Sequence, residues 1–201
     1  MRGCGCDHAA PLPTLRRPRM SDALPLLPLA LAALVSALLA ALVADALLAR
    51  LVAAGRIARP EIHLSIVVDA PIVRAWELLS DIDRQPEWMH EMKHVEMLTP
   101  PPVGVGSRGR ATVRIFGIST TDEVVITRYE PPHTFAIRHE GRFVGEGVIN
   151  LVALDATHTR VDWMEYLRPP LFATLGGFLQ RPILAAIFRS DLRSLRALLA
   201  R

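Results

Sequence analysis

Two short runs in the second half of the sequence bring ionisable groups to the end of an apolar face. They are Val161, Trp163 and Glu165, and Phe135, Ile137 and His139. Successive side chains of a strand point to opposite faces, so each triplet would share one face. If those faces line an interior, Glu165 and His139 become polar groups set into apolar walls, the arrangement that orients a ligand headgroup. A carboxyl so placed keeps its proton to higher pH and can serve as a general acid or base. The plainer alternative leaves both groups at strand ends, in water or paired with arginine. Glu146 and Asn150, in the intervening run, would join them only if the even positions of that strand face inward.

Other motifs carry less. His90-Glu91-Met92-Lys93-His94 reads as H-E-x-x-H, which on a helix would set two imidazoles one turn apart for zinc. Lys93 places a cation between the ligands, Val95 to Leu98 reads as the start of a strand, and only Pro100 to Pro102 follow. No metal site is expected. Gly104 to Gly109 fits G-x-G-x-x-G, but a proline run precedes it and a strand-like run follows, so it reads as a turn rather than a dinucleotide site. Cys4-Gly5-Cys6 is a lone pair in the N-terminal tail and gives no disulfide framework. The net charge of +3 comes almost wholly from arginine, with Lys93 the single lysine, and aromatics make up 5%. Without a basic run interleaved with aromatics, nucleic acid is not an expected partner.

The elements needed to position these residues fall into three parts. Residues 1–22 read as a disordered tail broken by Pro11, Pro13 and Pro18, with a second possible start at Met20. Residues 23–49 form an apolar run with one acid, Asp45, near its far end. Roughly 20 such residues at about 1.5 Å each span the ~30 Å hydrocarbon core. Pro25 and Pro28 fall in the first turns, where a missing N–H costs least. The run is long for a signal peptide, so a single-pass transmembrane helix is expected, with residues 50–60 as a linker. Arginines flank both sides, and a start at Met20 would favour the cytoplasmic side for the residues beyond the linker.

Residues 61–201 read as one α+β domain. A strand over 63–69 leads to a helix opened by Pro71 and to a short helical piece over 83–90. Strand-like runs follow at 110–116, 121–129, 134–140, 144–154 and 159–167, and their short turns require antiparallel pairing. A long helix closes the chain, with Leu184, Ile187, Phe188, Leu192, Leu195 and Leu199 as its apolar stripe and Arg189, Arg193 and Arg196 opposite. Gly176-Gly177 and Pro182 are expected to divide it into two segments. A curved antiparallel sheet wrapped around that helix would leave space between the two.

Ala70-Pro71, Ala75-Trp76, Leu78-Leu79-Ser80-Asp81, Pro86-Glu87-Trp88, Val105-Gly106-Ser107-Arg108, and Thr159-Arg160-Val161 leading to Trp163 occur in an order that resembles the START-like SRPBCC superfamily. The likeness is to its polyketide cyclase/dehydrase and lipid-transport branch, and it excludes the tail and the apolar run. It implies the helix-grip fold and a hydrophobic cavity for a lipid, polyketide, sterol or aromatic ligand, but no particular reaction. Trp76 and Trp88 are expected to serve in core and lid packing.

The leading expectation is a membrane-tethered binding or carrier domain for an apolar small molecule, without a cofactor. Its candidate ligand contacts are Phe135, Ile137, His139, Trp163, Glu165, Ile187 and Phe188. The first alternative is a cyclase or aromatase-type enzyme with Glu165 and His139 as catalytic residues. The second is a membrane-surface interaction protein using the arginines of the last helix. Chain pairing stays open.

Overall fold

The computed structural model describes residues 26–201. The tail over 1–22, with Met20, the cysteines and the arginines before the apolar run, lies outside the described residues, as does Pro25.

Two compact units divide at Ala40 and Ala41. The first holds the beginning of helix α1 (Leu26–Ala53). Its Leu27, Leu31 and Leu38 are exposed, so this part buries no apolar face of its own. At 28 residues α1 is long enough, and apolar enough, to cross a membrane.

The second unit is a seven-stranded antiparallel sheet with helices on one face. After α1 come β1 (Ile62–Val68), α2 (Ile72–Ser80), a 3-10 helix (Ile82–Glu87), β2 (Met92–Met97), β3 (Arg108–Ile115) and β4 (Ile118–Glu130). Then come β5 (Thr134–Glu140), β6 (Val144–Ala153), β7 (Thr159–Arg168) and α3 (Ala173–Leu199). Strands β2 to β7 form a meander, and β1 closes it beside β7, giving the order β1-β7-β6-β5-β4-β3-β2. Short connections make this possible. Between β3 and β4, Phe116 and Gly117 both have positive φ, the two-residue turn whose twist matches that of paired strands.

Helix α3 packs its stripe on the inner face of the sheet. Leu184, Phe188, Leu192, Leu195 and Leu199 are buried in one cluster with Val161, Trp163 and Ile149. The expected break in α3 is absent: it runs unbroken from Ala173 to Leu199. The glycines serve close packing instead. A Cβ on Gly176 would sit 2.7 Å from the Pro169 ring, and one on Gly177 3.0 Å from that of Pro60. Pro182 removes one N–H but lies on the exposed side of the helix.

The start of α3 is capped from elsewhere in the chain. Phe172, in a left-handed conformation, supplies no side-chain cap. The Asp45 carboxylate fills the role, accepting the N–H groups of Thr174 at 2.8 Å and Leu175 at 2.7 Å. The acid that interrupts the apolar run thus satisfies two otherwise unpaired donors at a positive helix end. Two further boundaries differ from expectation. The short helical piece is a 3-10 helix that ends at Glu87, and β2 begins at Met92, with a register irregularity between Met92 and His94.

Candidate functional site

Between the sheet and α3 lies a cavity of about 170 Å³, lined also by residues of the 3-10 helix. Its walls are almost wholly apolar. Phe135, Ile137, His139, Trp163, Glu165 and Phe188 all line it, whereas Ile187 packs at the edge of the core. Trp163 organises the wall. Phe188 stacks on it with centroids 4.7 Å apart, and Trp88 meets it edge-on at 6.1 Å. Trp88 is buried and lines the cavity, so it both packs and faces any occupant; Trp76 stays in the core against Tyr129.

The polar end is built across three strands. His139 lies on β5 and Glu165 on β7, two strand spacings apart, or roughly 10 Å. They meet above β6 because both positions opposite them there are glycines: Gly147 pairs with Glu165 and Gly145 with His139. His139 Nε2 lies 2.9 Å from Glu165 Oε1, and the Trp163 indole N–H donates to Oε2 at 2.9 Å. Glu165 is only 4% exposed, so both hydrogen bonds are made away from bulk water, where leaving either unmade is costly. Glu146 and Asn150 take no part. The odd positions Gly147 and Ile149 face inward, and Asn150 accepts the Thr134 hydroxyl at the other face.

A Cβ on Gly147 would lie 2.5 Å from Glu165 Oε2. Gly147→Ala is therefore expected to push the carboxylate out of register with one of its donors, at a cost of about 1–2 kcal/mol in stability. Denaturant unfolding measures it; an unchanged midpoint would mean that the carboxylate relocates freely.

A second acid, which the pattern of the sequence did not single out, lines the cavity. Glu91 precedes β2 and is 7% exposed; Asp191, on α3, is 1% exposed and directly behind it. Burial, followed by the neighbouring Asp191 carboxylate, pushes the Glu91 carboxyl up to about 7. Asp191 is also raised by burial, against the opposing pull of the His90 backbone N–H, which donates to its Oδ1 at 3.2 Å. Glu91 Oε2 and Asp191 Oδ2 have no donor among the described residues. One proton retained on Glu91 and donated to Asp191 removes both deficits. Asp191 stands on the buried face of α3 beside Phe188 and Leu192, and an acid at that place in the apolar stripe was the available clue.

The remaining motifs resolve simply. His90 lies in a turn and His94 on β2, so the two imidazoles do not share a helical face. Gly104 to Gly109 is a turn into β3, with Gly106 at φ 88° and the Gly104 N–H bonded to the Ser107 hydroxyl.

Residues 59–200 match the family model described as polyketide cyclase / dehydrase and lipid transport. No curated protein matches the chain. Solved structures share the fold. A protein from Thermus thermophilus superposes with a TM-score of 0.59 at 20% identity, over 69% of this chain and 95% of that one. The Zhui aromatase/cyclase from a Streptomyces species gives 0.53 at 19% identity, over 69% and 94%. The di-domain ARO/CYC BexL gives 0.57 at 17% identity, over 68% of this chain and 45% of the larger protein.

Proposed function

Because the chain belongs to the polyketide cyclase/dehydrase and lipid transport family, we propose that residues 61–201 bind and carry an apolar small molecule while α1 anchors them to a membrane. In this division residues 50–60 are the linker and residues 1–22 a tail. The observation that carries the reading is a largely apolar cavity of about 170 Å³ with the hydrogen-bonded Glu165 and His139 set into its wall. An apolar cavity of ~150 Å³ accepts benzene. The space therefore suits one aromatic ring with short substituents or a segment of acyl chain, and a whole diacyl lipid exceeds it. A hydroxyl or carbonyl on the occupant has His139 and Glu165 to meet; the rest meets aromatic and aliphatic walls. The test is native mass spectrometry of the full chain in mild detergent, with extraction of any compound that co-purifies. A stoichiometric apolar compound is expected. A clean mass with no uptake from a panel of lipids and aromatic polyketides would sink the proposal.

The His139–Glu165 hydrogen bond favours one second reading, a cyclase or aromatase-type enzyme. Glu165 would take a proton from an activated carbon and His139 would steady the charge that forms on a neighbouring oxygen. Under it, Glu165→Gln keeps an acceptor for the Trp163 N–H, leaves ligand affinity within about two-fold and lowers turnover by roughly 100-fold or more. Under the carrier reading the same variant changes affinity alone. Isothermal titration alongside a product assay separates the two.

A further inference from the structure

Register places several features at one end of the sheet. Ile62 pairs with Glu165, and Val144 with Arg168, so the start of β1, the end of β7 and the start of β6 lie together. Through β5 and β4 the same end carries the β3–β4 turn, since Glu140 pairs with Val144 and Val124 with His139. The first residues of α3 follow β7 there, held by the Asp45 carboxylate. Asp45 directly follows the uncharged apolar run, so the point along the chain where a hydrocarbon span would end is bonded to this end of the domain.

This end exposes large apolar side chains. Phe116 is 83% exposed and Ile118 71%, at the tip of a hairpin; Leu171 is 73% and Leu179 66%, around the start of α3. Phe116 also holds a positive φ that a glycine would adopt without cost, which keeps its ring on the outside of the turn. Water alone gives no reason for a phenylalanine there. The outward face of α3 then changes character along its length, from Leu179 and Ile183 to Arg189, Arg193 and Arg196, none of which has a carboxylate partner among the described residues. An apolar patch followed by unpaired arginine matches the order of acyl chains and anionic headgroups across a bilayer interface. The cavity lining reaches the same end at Ile115, Phe143 and Leu167.

We propose that this end of the domain, through Phe116, Ile118, Leu171 and Leu179, is a second contact with the lipid bilayer that holds the cavity against the membrane. The inference rests on the anchor reading above. Held so, a lipophilic occupant exchanges between acyl chains and cavity without crossing bulk water.

The experiment uses the full chain, with Cys4 and Cys6 replaced by serine, in vesicles of phosphatidylcholine and phosphatidylglycerol. Single cysteines at positions 34, 116, 171 and 154 carry an environment-sensitive fluorophore, and two sets of lipids act as quenchers, one brominated near the headgroup for 116, 171 and 154 and one brominated near the acyl-chain ends for 34. Leu154, in the turn after β6 at the opposite end of the sheet, is the control. Quenching at 116 and 171 about three-fold or more above that at 154 is expected, with loss at 171 when Asp45 is changed to Ala. Quenching at 34 alone would overturn the second contact and leave the anchor intact. Quenching at 154 and not at 116 would overturn it too, by reversing the orientation. An unquenched probe at 34 would remove the anchor and this inference together.

Discussion

Phe188→Ala is expected to cost about 3–5 kcal/mol and to lower the thermal midpoint by roughly 6–20 °C. The ring stacks on Trp163 at 4.7 Å, is 6% exposed, and joins α3 to the sheet at the cavity wall. Truncation removes that stack and leaves a space that Leu184 and Leu192, fixed on the same helix, cannot collapse to fill. The variant also reports on binding. A cavity enlarged by one ring should accept a benzene- or indole-sized compound, and such a compound at saturating concentration should restore part of the lost midpoint. Thermal unfolding with and without the additive measures both. A loss below about 1 kcal/mol would show that α3 is not held where the ring stacks; an undiminished loss with every additive would argue against an accessible cavity.

The second large effect concerns pH. Glu91 keeps its proton to about pH 7, whereas an unfolded chain releases it near the ordinary value of 4.5. Between those values the native state binds the extra proton, so stability falls as pH rises. The contribution is fully present below about 4.5 and is lost as pH rises through about 7. A displacement of this size corresponds to about 3 kcal/mol. The midpoint should therefore drop by roughly 10 °C between pH 5 and pH 8. Glu91→Gln retains a donor toward Asp191 without titrating and should flatten most of that slope. If the wild-type midpoint instead rises over this window, the pair does not share a proton as described. Glu91 also lines the cavity, so a negative charge appears at its wall as pH rises through about 7.

Period and turn chemistry carried most of the architecture. Each run from 110 to 167 became a strand because β-branched residues alternate between clear turn signals, and the same alternation put His139 and Glu165 on inward faces. The features that escaped depended on approaches between segments far apart in the chain. Gly176 and Gly177 look like breakers until Pro169 and Pro60 are seen against them. Gly147 looks like a weak point in a strand until the Glu165 carboxylate occupies the space above it. Glu91 belonged to a motif weighed only as a metal site, and its partner is 100 residues away on α3. Asp45 looked like a blemish in an apolar helix, and it caps the start of α3 across 129 residues. Local pattern reports an element's type and inward face; it is silent about which distant group fills a gap.

The place of β1 has a consequence for how the protein is made. Its partner is β7, and Ile62 cannot find Glu165 until the ribosome has added the whole meander between them. Until then the first strand is an open edge with no hydrogen-bonding neighbour, and the buried helix that completes the core, α3, is translated only after β7. On the proposed topology α1 has by then entered the bilayer, so the unfinished domain waits at a membrane surface with its apolar faces uncovered. Long-range closure of this kind is intrinsically slow. Holding the nascent chain clear of its neighbours during that interval becomes a requirement on the cell, set by a single strand pairing.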